Sequence, residues 1–187
     1  MTTERSQSLT AGWQEAYKAH ADADESNFLW DKRPHAFVEQ VQLIPELKRR
    51  RMQLVLDAGC GDGRNSLYLE QCGFYVIGVD LSGAALKLAH RRAISNGSTR
   101  VTFFSDDICS MRSAGPVDAI LCADCLGQVE DPAQALSEFH RILRPGGVLV
   151  ANVYDREDGT YGVGEPHPHL PEAFIYKDTL FRFFDEQ

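Results

Sequence analysis

The residues best suited to chemistry are carboxylates and glycines placed where short apolar runs stop. The run from Leu54 gives way to Gly59, Gly61 and Gly63, with Asp57 and Asp62 among them. A second run, Phe74 to Val79, stops at Asp80, and a third, beginning at Val101, stops at Asp106-Asp107. A fourth, beginning at Val117, leads into Cys122, Asp124 and Cys125. Glycine lets a backbone turn tightly and approach a ligand with no Cβ in the way. The helix expected after Gly63 adds free N–H groups and partial positive charge. Asp80 lies 21 residues beyond Gly59, the distance at which a carboxylate accepts ribose hydroxyls. Together these residues suit an adenosine ligand.

Pyrophosphate is the usual tail of such a ligand, and two details oppose it. The fingerprint G-x-G-x-x-G needs a small residue at position 64, where Arg64 stands. Asp57 and Asp62 also bring negative charge to the place a dianion would occupy. The same carboxylates would attract an amine and a sulfonium. Asp107 offers an acceptor to an adenine amino group, and the Ile108 N–H offers a donor to the ring. Adenosine with a cationic, phosphate-free tail is S-adenosylmethionine.

The elements that must hold these residues follow from hydrophobic period and stop signals. Strands are expected at 53–58, 74–80, 101–106, 117–124 and 146–155. Between them lie helices: one after Gly63 ending at Gly73, one capped by Ser82 and ended by Asn96-Gly97, and one capped by Asp131 with Pro132 first. Near-continuous apolar strands alternating with helices predict an α/β fold, a doubly wound, mostly parallel sheet with helices on both faces. Ligands bind such sheets beyond the strands' carboxyl ends. Ahead of the sheet, residues 8–20 and 35–48 read as helices, with Pro45 expected to end or kink the second.

Composition bounds the rest. The 187 residues suffice for one domain, and 27 acidic against 19 basic residues give a net charge of −8. So acidic a surface gives no help in binding a phosphate backbone, which argues against a nucleic-acid partner. The basic run Leu47 to Arg51 reads as a solvated helix end. Five cysteines, an odd number scattered through apolar segments, suggest reduced thiols and a cytoplasmic protein. Cys122 and Cys125 form a C-x-x-C with no second pair at zinc spacing, so no metal is expected. No apolar run approaches the ~20 residues of a membrane span.

In order and spacing, "VLDAGCGDGRNSLYL", "VIGVDLS", "VTFFSDDI", "DAILCADCLGQV" and "ALSEFHRILRPGGVLVANV" resemble the motifs of class I S-adenosylmethionine-dependent methyltransferases over about residues 50 to 155. The resemblance implies S-adenosyl-L-methionine as cofactor and S-adenosyl-L-homocysteine as product. It places Gly59, Cys60 and Gly61 along the methionine moiety, with Asp57 near its amino group. Asp80 would hold the ribose, Leu81 would pack on the adenine, and Asp107 with Ile108 would read its edge. Cys122 and its neighbours would pass under the sulfonium, and the turn Arg144 to Gly147 would be structural. The sequence "FLWDKRPHAFV" and the glycine turn further resemble the tellurite-resistance and thiol methyltransferases, which implies a small-molecule acceptor.

The chain thus divides into an N-terminal helical segment (1–50) whose Trp13, Tyr17 and Trp30 are candidates for a lid, a cofactor-binding core (51–155), and a substrate-side region (156–187). His167, His169, Asp124 and Tyr161 are general-base candidates by position alone, so no catalytic residue is assigned. The family's sheet has seven strands, whereas "KDTLFRFFDEQ" reads as a helix burying Phe181 and Phe184. A five-stranded sheet lacking the last two strands is therefore expected, in a truncated or naturally short chain. Its open edge would invite a homodimer or another partner. The alternatives are a cofactor-binding protein without activity and an NAD-dependent oxidoreductase.

Overall fold

A computed structural model describes residues 4–21, 34, 38, 43–152, 165–166, 173–176 and 179–182. In chain order the elements are α1 (Glu4–Ala21), α2 (Leu43–Arg49), β1 (Leu54–Ala58), α3 (Arg64–Gln71), β2 (Tyr75–Asp80), α4 (Gly83–Ser95), β3 (Val101–Ser105), β4 (Val117–Cys122), α5 (Pro132–Ile142) and β5 (Leu143–Ala151). Three short strands follow: β6 (Glu165–Pro166), β7 (Ala173–Tyr176) and β8 (Thr179–Arg182).

Strands β1 to β5 form one sheet in the order β3-β2-β1-β4-β5, with every pairing parallel. The winding direction reverses between β1 and β4, so the crevice at their carboxyl ends is the natural ligand position. Side-chain alternation explains the double covering. Val55, Ala119 and Leu121 face a layer with Leu69 of α3 and Leu47 of α2. Their neighbours Leu56, Ile120 and Cys122 face Phe139 and Ile142 of α5. Burying one such side chain contributes about 1.5–3 kcal/mol, which holds both layers to the sheet.

Helix boundaries follow their capping chemistry. Ser82 caps α4, its side chain accepting from the Ala85 N–H at 3.2 Å. Asp131 caps α5 ahead of Pro132, accepting from Gln134 at 2.9 Å. Pro45 lies in the first turn of α2, where a missing N–H goes unneeded; residues 35–37 and 39–42 of the expected helix lie outside the described residues.

Strand β5 begins at Leu143, three residues before the expected Gly146, and ends at Ala151. Its register against β4 jumps from Val117↔Leu143 to Ala119↔Val148, so Arg144–Gly147 bulge within the strand opposite Asp118. A β-carbon at Gly147 would come within 2.8 Å of the Arg144 carbonyl, which explains the glycine. Asp118 pins this end of the sheet. One carboxylate oxygen accepts from the Gln53 and Leu54 N–H groups, each at 2.9 Å, and the other takes Arg144 at 2.5 Å.

The C-terminal helix is corrected. Residues 179–182 form β8, which pairs antiparallel with β7 in the register Tyr176↔Thr179 to Ala173↔Arg182. Aromatic and β-branched residues on both sides of a two-residue link favour a hairpin over a helix. β6 joins β7 on its other side, making a three-stranded antiparallel sheet separate from the parallel one. Phe184 lies outside the described residues.

Candidate functional site

The glycine turn is fixed to the end of β2. The N–H groups of Gly59 and Cys60 both donate to the Val79 carbonyl, at 2.8 and 2.9 Å. The Gly61 N–H donates to Asp80 Oδ2 at 2.8 Å, and the Ser82 N–H to Asp80 Oδ1 at 2.7 Å. Both oxygens of Asp80 are therefore aimed by backbone N–H groups, and the Leu81 N–H adds to the two bonds. Burial pushes its carboxyl pKa upward against these hydrogen bonds, and the charge of Asp62 adds to the rise. Beside it, Leu81 is 46% exposed, an apolar side chain laid open next to a ribose-type acceptor.

Asp57 sits deeper, at 1% exposure. Its Oδ2 accepts from the Ser66 hydroxyl at 2.5 Å. Burial raises its pKa to about 6, the Ser66 hydrogen bond opposing and the Asp80 charge adding. The carboxylates of β1 and β2 thus build a region of negative potential under the turn.

Asp62 plays a different part from the one its sequence position suggested. Its Oδ2 lies 2.9 Å from Arg92 Nη1 of α4, so its charge is spent on an internal ion pair. Gly63 has φ +81, and a β-carbon there would press on Phe103 and Ala89. The third glycine serves close packing of the turn on α4 and β3, the role the dinucleotide fingerprint gives its last small residue.

Two side chains fill the space beside the other glycines. A β-carbon at Gly59 would overlap Cys125, and one at Gly61 would overlap the Tyr17 hydroxyl. Both glycines have positive φ, +73 and +54. Tyr17 belongs to α1, which packs on α4 through Trp13, Tyr17, Ala84, Ala85 and Leu88. Gln14 secures it, Oε1 accepting from Ser82 Oγ at 3.0 Å and the Ala84 N–H at 3.2 Å. A hydrogen-bonded chain therefore runs from Asp80 through Ser82 to α1. Burial, and then the charge of Asp62, raise the Tyr17 pKa well above the ordinary phenol value, so its hydroxyl stays protonated.

At the third strand end, Asp107 Oδ1 accepts from the Cys109 N–H at 2.9 Å, and Ile108 is buried in the core at 4% exposure. At the fourth, Cys122 is wholly buried. The neighbouring Cys122 thiol and burial together raise the Cys125 thiol well above its ordinary pKa. Burial does the same for Cys60. These are inert thiols, and among the described residues no three His, Cys, Asp or Glu side chains are placed to hold a metal. Asp124 has φ +55 and is bonded twice to Asn152, its N–H to Oδ1 at 2.8 Å and its Oδ1 from Nδ2 at 2.5 Å. Trp30, Tyr161, His167 and His169 lie outside the described residues.

The structure gathers Asp57, Gly59, Cys60, Gly61 and Asp80 around one turn, with Leu81 beside it. Sequence reasoning missed Ser66, Gln14 and Asn152. The signal for Ser66 was a hydroxyl one helical turn past Gly63; the other two arrive from distant elements. Among the described residues no helix is long and apolar enough to cross a membrane.

A family model described as a methyltransferase domain matches residues 55–147. A ubiquinone biosynthesis O-methyltransferase of Leptothrix cholodnii is 29% identical over 109 residues, 57% of this chain and 46% of that protein. The chain spans about half the length of the curated relatives it matches. Among solved structures, the sugar N-methyltransferase KedS8 from Streptoalloteichus is 26% identical with a TM-score of 0.55, covering 64% of this chain and 48% of that one. An S-adenosylmethionine-dependent methyltransferase from Clostridium acetobutylicum shares the fold, with a TM-score of 0.62 at 20% identity over 89% of this chain and 65% of that one. None of the three is named as a tellurite-resistance or thiol methyltransferase.

Proposed function

Because the chain belongs to the class I S-adenosylmethionine-dependent methyltransferases, we propose that it moves a methyl group from S-adenosylmethionine to a small-molecule acceptor. The observation that carries this reading is the pairing of Asp80 with Leu81. A carboxylate whose two oxygens are fixed in direction by backbone N–H groups, beside a half-exposed leucine, suits a ribose diol joined to a flat apolar base. Asp107 and the Ile108 N–H, at the next strand end, would read the edge of that base. Gly59, Cys60 and Gly61 would follow the aminoacyl tail, and Cys122 would lie beneath it.

S-adenosylmethionine supplies an electrophilic methyl on a sulfonium that is already a good leaving group. The chain's task is then orientation, worth up to ~7–11 kcal/mol when the reacting atoms are held aligned near ~3 Å. Asp57, closed off from solvent and bonded to Ser66, contributes negative potential beneath the tail. Tyr17 keeps a protonated hydroxyl over Gly61, where it can donate to a carboxylate. This role deepens the lid expectation for α1. Asp124 is the one general-base candidate among the described residues, and its carboxylate already accepts from Asn152.

The acceptor atom is read as oxygen or nitrogen, a reading supported by the relatives' names, an O-methyltransferase and a sugar N-methyltransferase. Self-association through β5 is proposed on its position at the sheet's edge, with Leu149 37% exposed. The reading is tested by incubating the protein with radiolabelled methyl donor and panels of phenols, sugar hydroxyls, amines, thiols and RNA. Label transferred to a phenol, sugar or amine is expected; transfer to RNA alone would overturn the small-molecule reading.

A further inference from the structure

We propose that Asn152 is a positioning residue for the cofactor pocket, acting through the backbone of Asp124. The inference rests on the cofactor reading above. Parallel pairing of β4 with β5 ends at Cys122↔Ala151, and the Asn152 N–H adds a last bond to the Cys122 carbonyl at 3.4 Å. At the next step the side chain replaces the backbone. Asn152 Oδ1 accepts the Asp124 N–H at 2.8 Å, and Nδ2 returns a bond to Asp124 Oδ1. The side-chain amide thus stands in for a peptide group at the end of the β4–β5 ladder.

The bond has a conformational consequence. Asp124 is held at φ +55, a left-handed backbone that costs a side-chain-bearing residue stability and costs glycine none. That turn sends the chain from the end of β4 into Cys125, which occupies the notch left by the missing side chain of Gly59. Gly59 is in turn fixed to Val79, one residue before Asp80. A continuous line of contacts therefore runs from Asn152 through Asp124 and Cys125 to the glycine turn. In this arrangement the amide selects the left-handed turn, and the turn seats Cys125 against Gly59.

The test is calorimetric titration of the full chain with S-adenosylhomocysteine. Asn152→Ala is expected to weaken binding about five-fold in the wild-type background, the equilibrium factor for releasing one left-handed residue. In an Asp124→Gly background the same substitution should cost less than about two-fold, because glycine needs no partner to hold that turn. Should Asn152→Ala fail to fold, Asp124→Ala against Asp124→Gly asks the same question, since both lack the carboxylate and only alanine resists the turn. Alanine binding at least three-fold more weakly supports the inference. Equal binding by these two variants, or an equal loss from Asn152→Ala in both backgrounds, overturns it. Absence of binding by the wild type would overturn the cofactor reading, and this inference with it.

Discussion

The hydroxyl of Tyr17 stands over the backbone of Gly61, in the space any β-carbon at position 61 would need. The contact joins α1, an element outside the parallel sheet, to the glycine turn proposed to follow the cofactor. Gln14 fixes its approach through Ser82 and Ala84. On the proposed cofactor reading the N-terminal helix walls the site, and its displacement should be felt by the ligand.

Gly61→Ala sets a β-carbon against Tyr17 at a residue with φ +54. The left-handed backbone alone costs about 1–2 kcal/mol. The variant is expected to melt lower and to bind S-adenosylhomocysteine about ten-fold more weakly, equivalent to ~1.4 kcal/mol. Melting curves and titration check both, and wild-type values in both would contradict the placement of Tyr17.

Asp57 should make the protein less stable as pH rises. Its folded pKa of about 6 lies above the ordinary value near ~3.9, so between those pH values the folded state holds more proton than the unfolded one. Stability from this group is fully present below about pH 4 and is lost by about pH 6, up to ~3 kcal/mol. Asp57→Asn removes the effect. Its melting temperature relative to wild type should climb between pH 4 and 7 while its cofactor affinity falls. A difference independent of pH would contradict the burial argument.

Asp80 and Asp62 should separate binding from folding. Asp80→Asn replaces one acceptor facing the Gly61 or Ser82 N–H with a donor, and S-adenosylhomocysteine affinity is expected to drop at least ten-fold, about 1.4 kcal/mol. Asp62→Asn removes the charge that meets Arg92 at 2.9 Å, and breaking a buried ion pair costs about 3–5 kcal/mol. Denaturant unfolding of both variants reads the contrast. A larger stability loss for Asp80→Asn than for Asp62→Asn would reverse the assignment.

Asp118 supplies the control far from the pocket. Asp118→Ala strips acceptors from the Gln53 and Leu54 N–H groups and from Arg144. It should lower stability by about 1–3 kcal/mol while changing S-adenosylhomocysteine affinity less than about two-fold. A large loss of affinity would mean that the amino-end staple governs the carboxyl-end pocket.

What could be read from the chain was what local chemistry writes into it. Ser82, Asp131 and Pro132 announced their helices because capping is decided within a few residues. The parallel sheet was legible because strands buried on both faces leave continuous apolar runs. Partners brought from afar were illegible: Arg92 for Asp62, Asp118 for the start of β1, Asn152 for Asp124. The acids looked alike in sequence, yet the fold pairs Asp62 with Arg92, buries Asp57 against Ser66 and fixes Asp80 by backbone N–H groups. The misread C-terminal segment illustrates the same limit. Thr179–Arg182 carries few residues with which to set a period, and pairing with β7 decides its form.

The most direct test of the account is calorimetric titration of the whole chain with S-adenosylhomocysteine and, separately, with NAD. Saturable one-site binding of S-adenosylhomocysteine is predicted, abolished or sharply weakened in Asp80→Asn, with no heat from NAD. Binding of NAD without binding of S-adenosylhomocysteine would contradict the assignment of the glycine turn and its acids to a sulfonium cofactor.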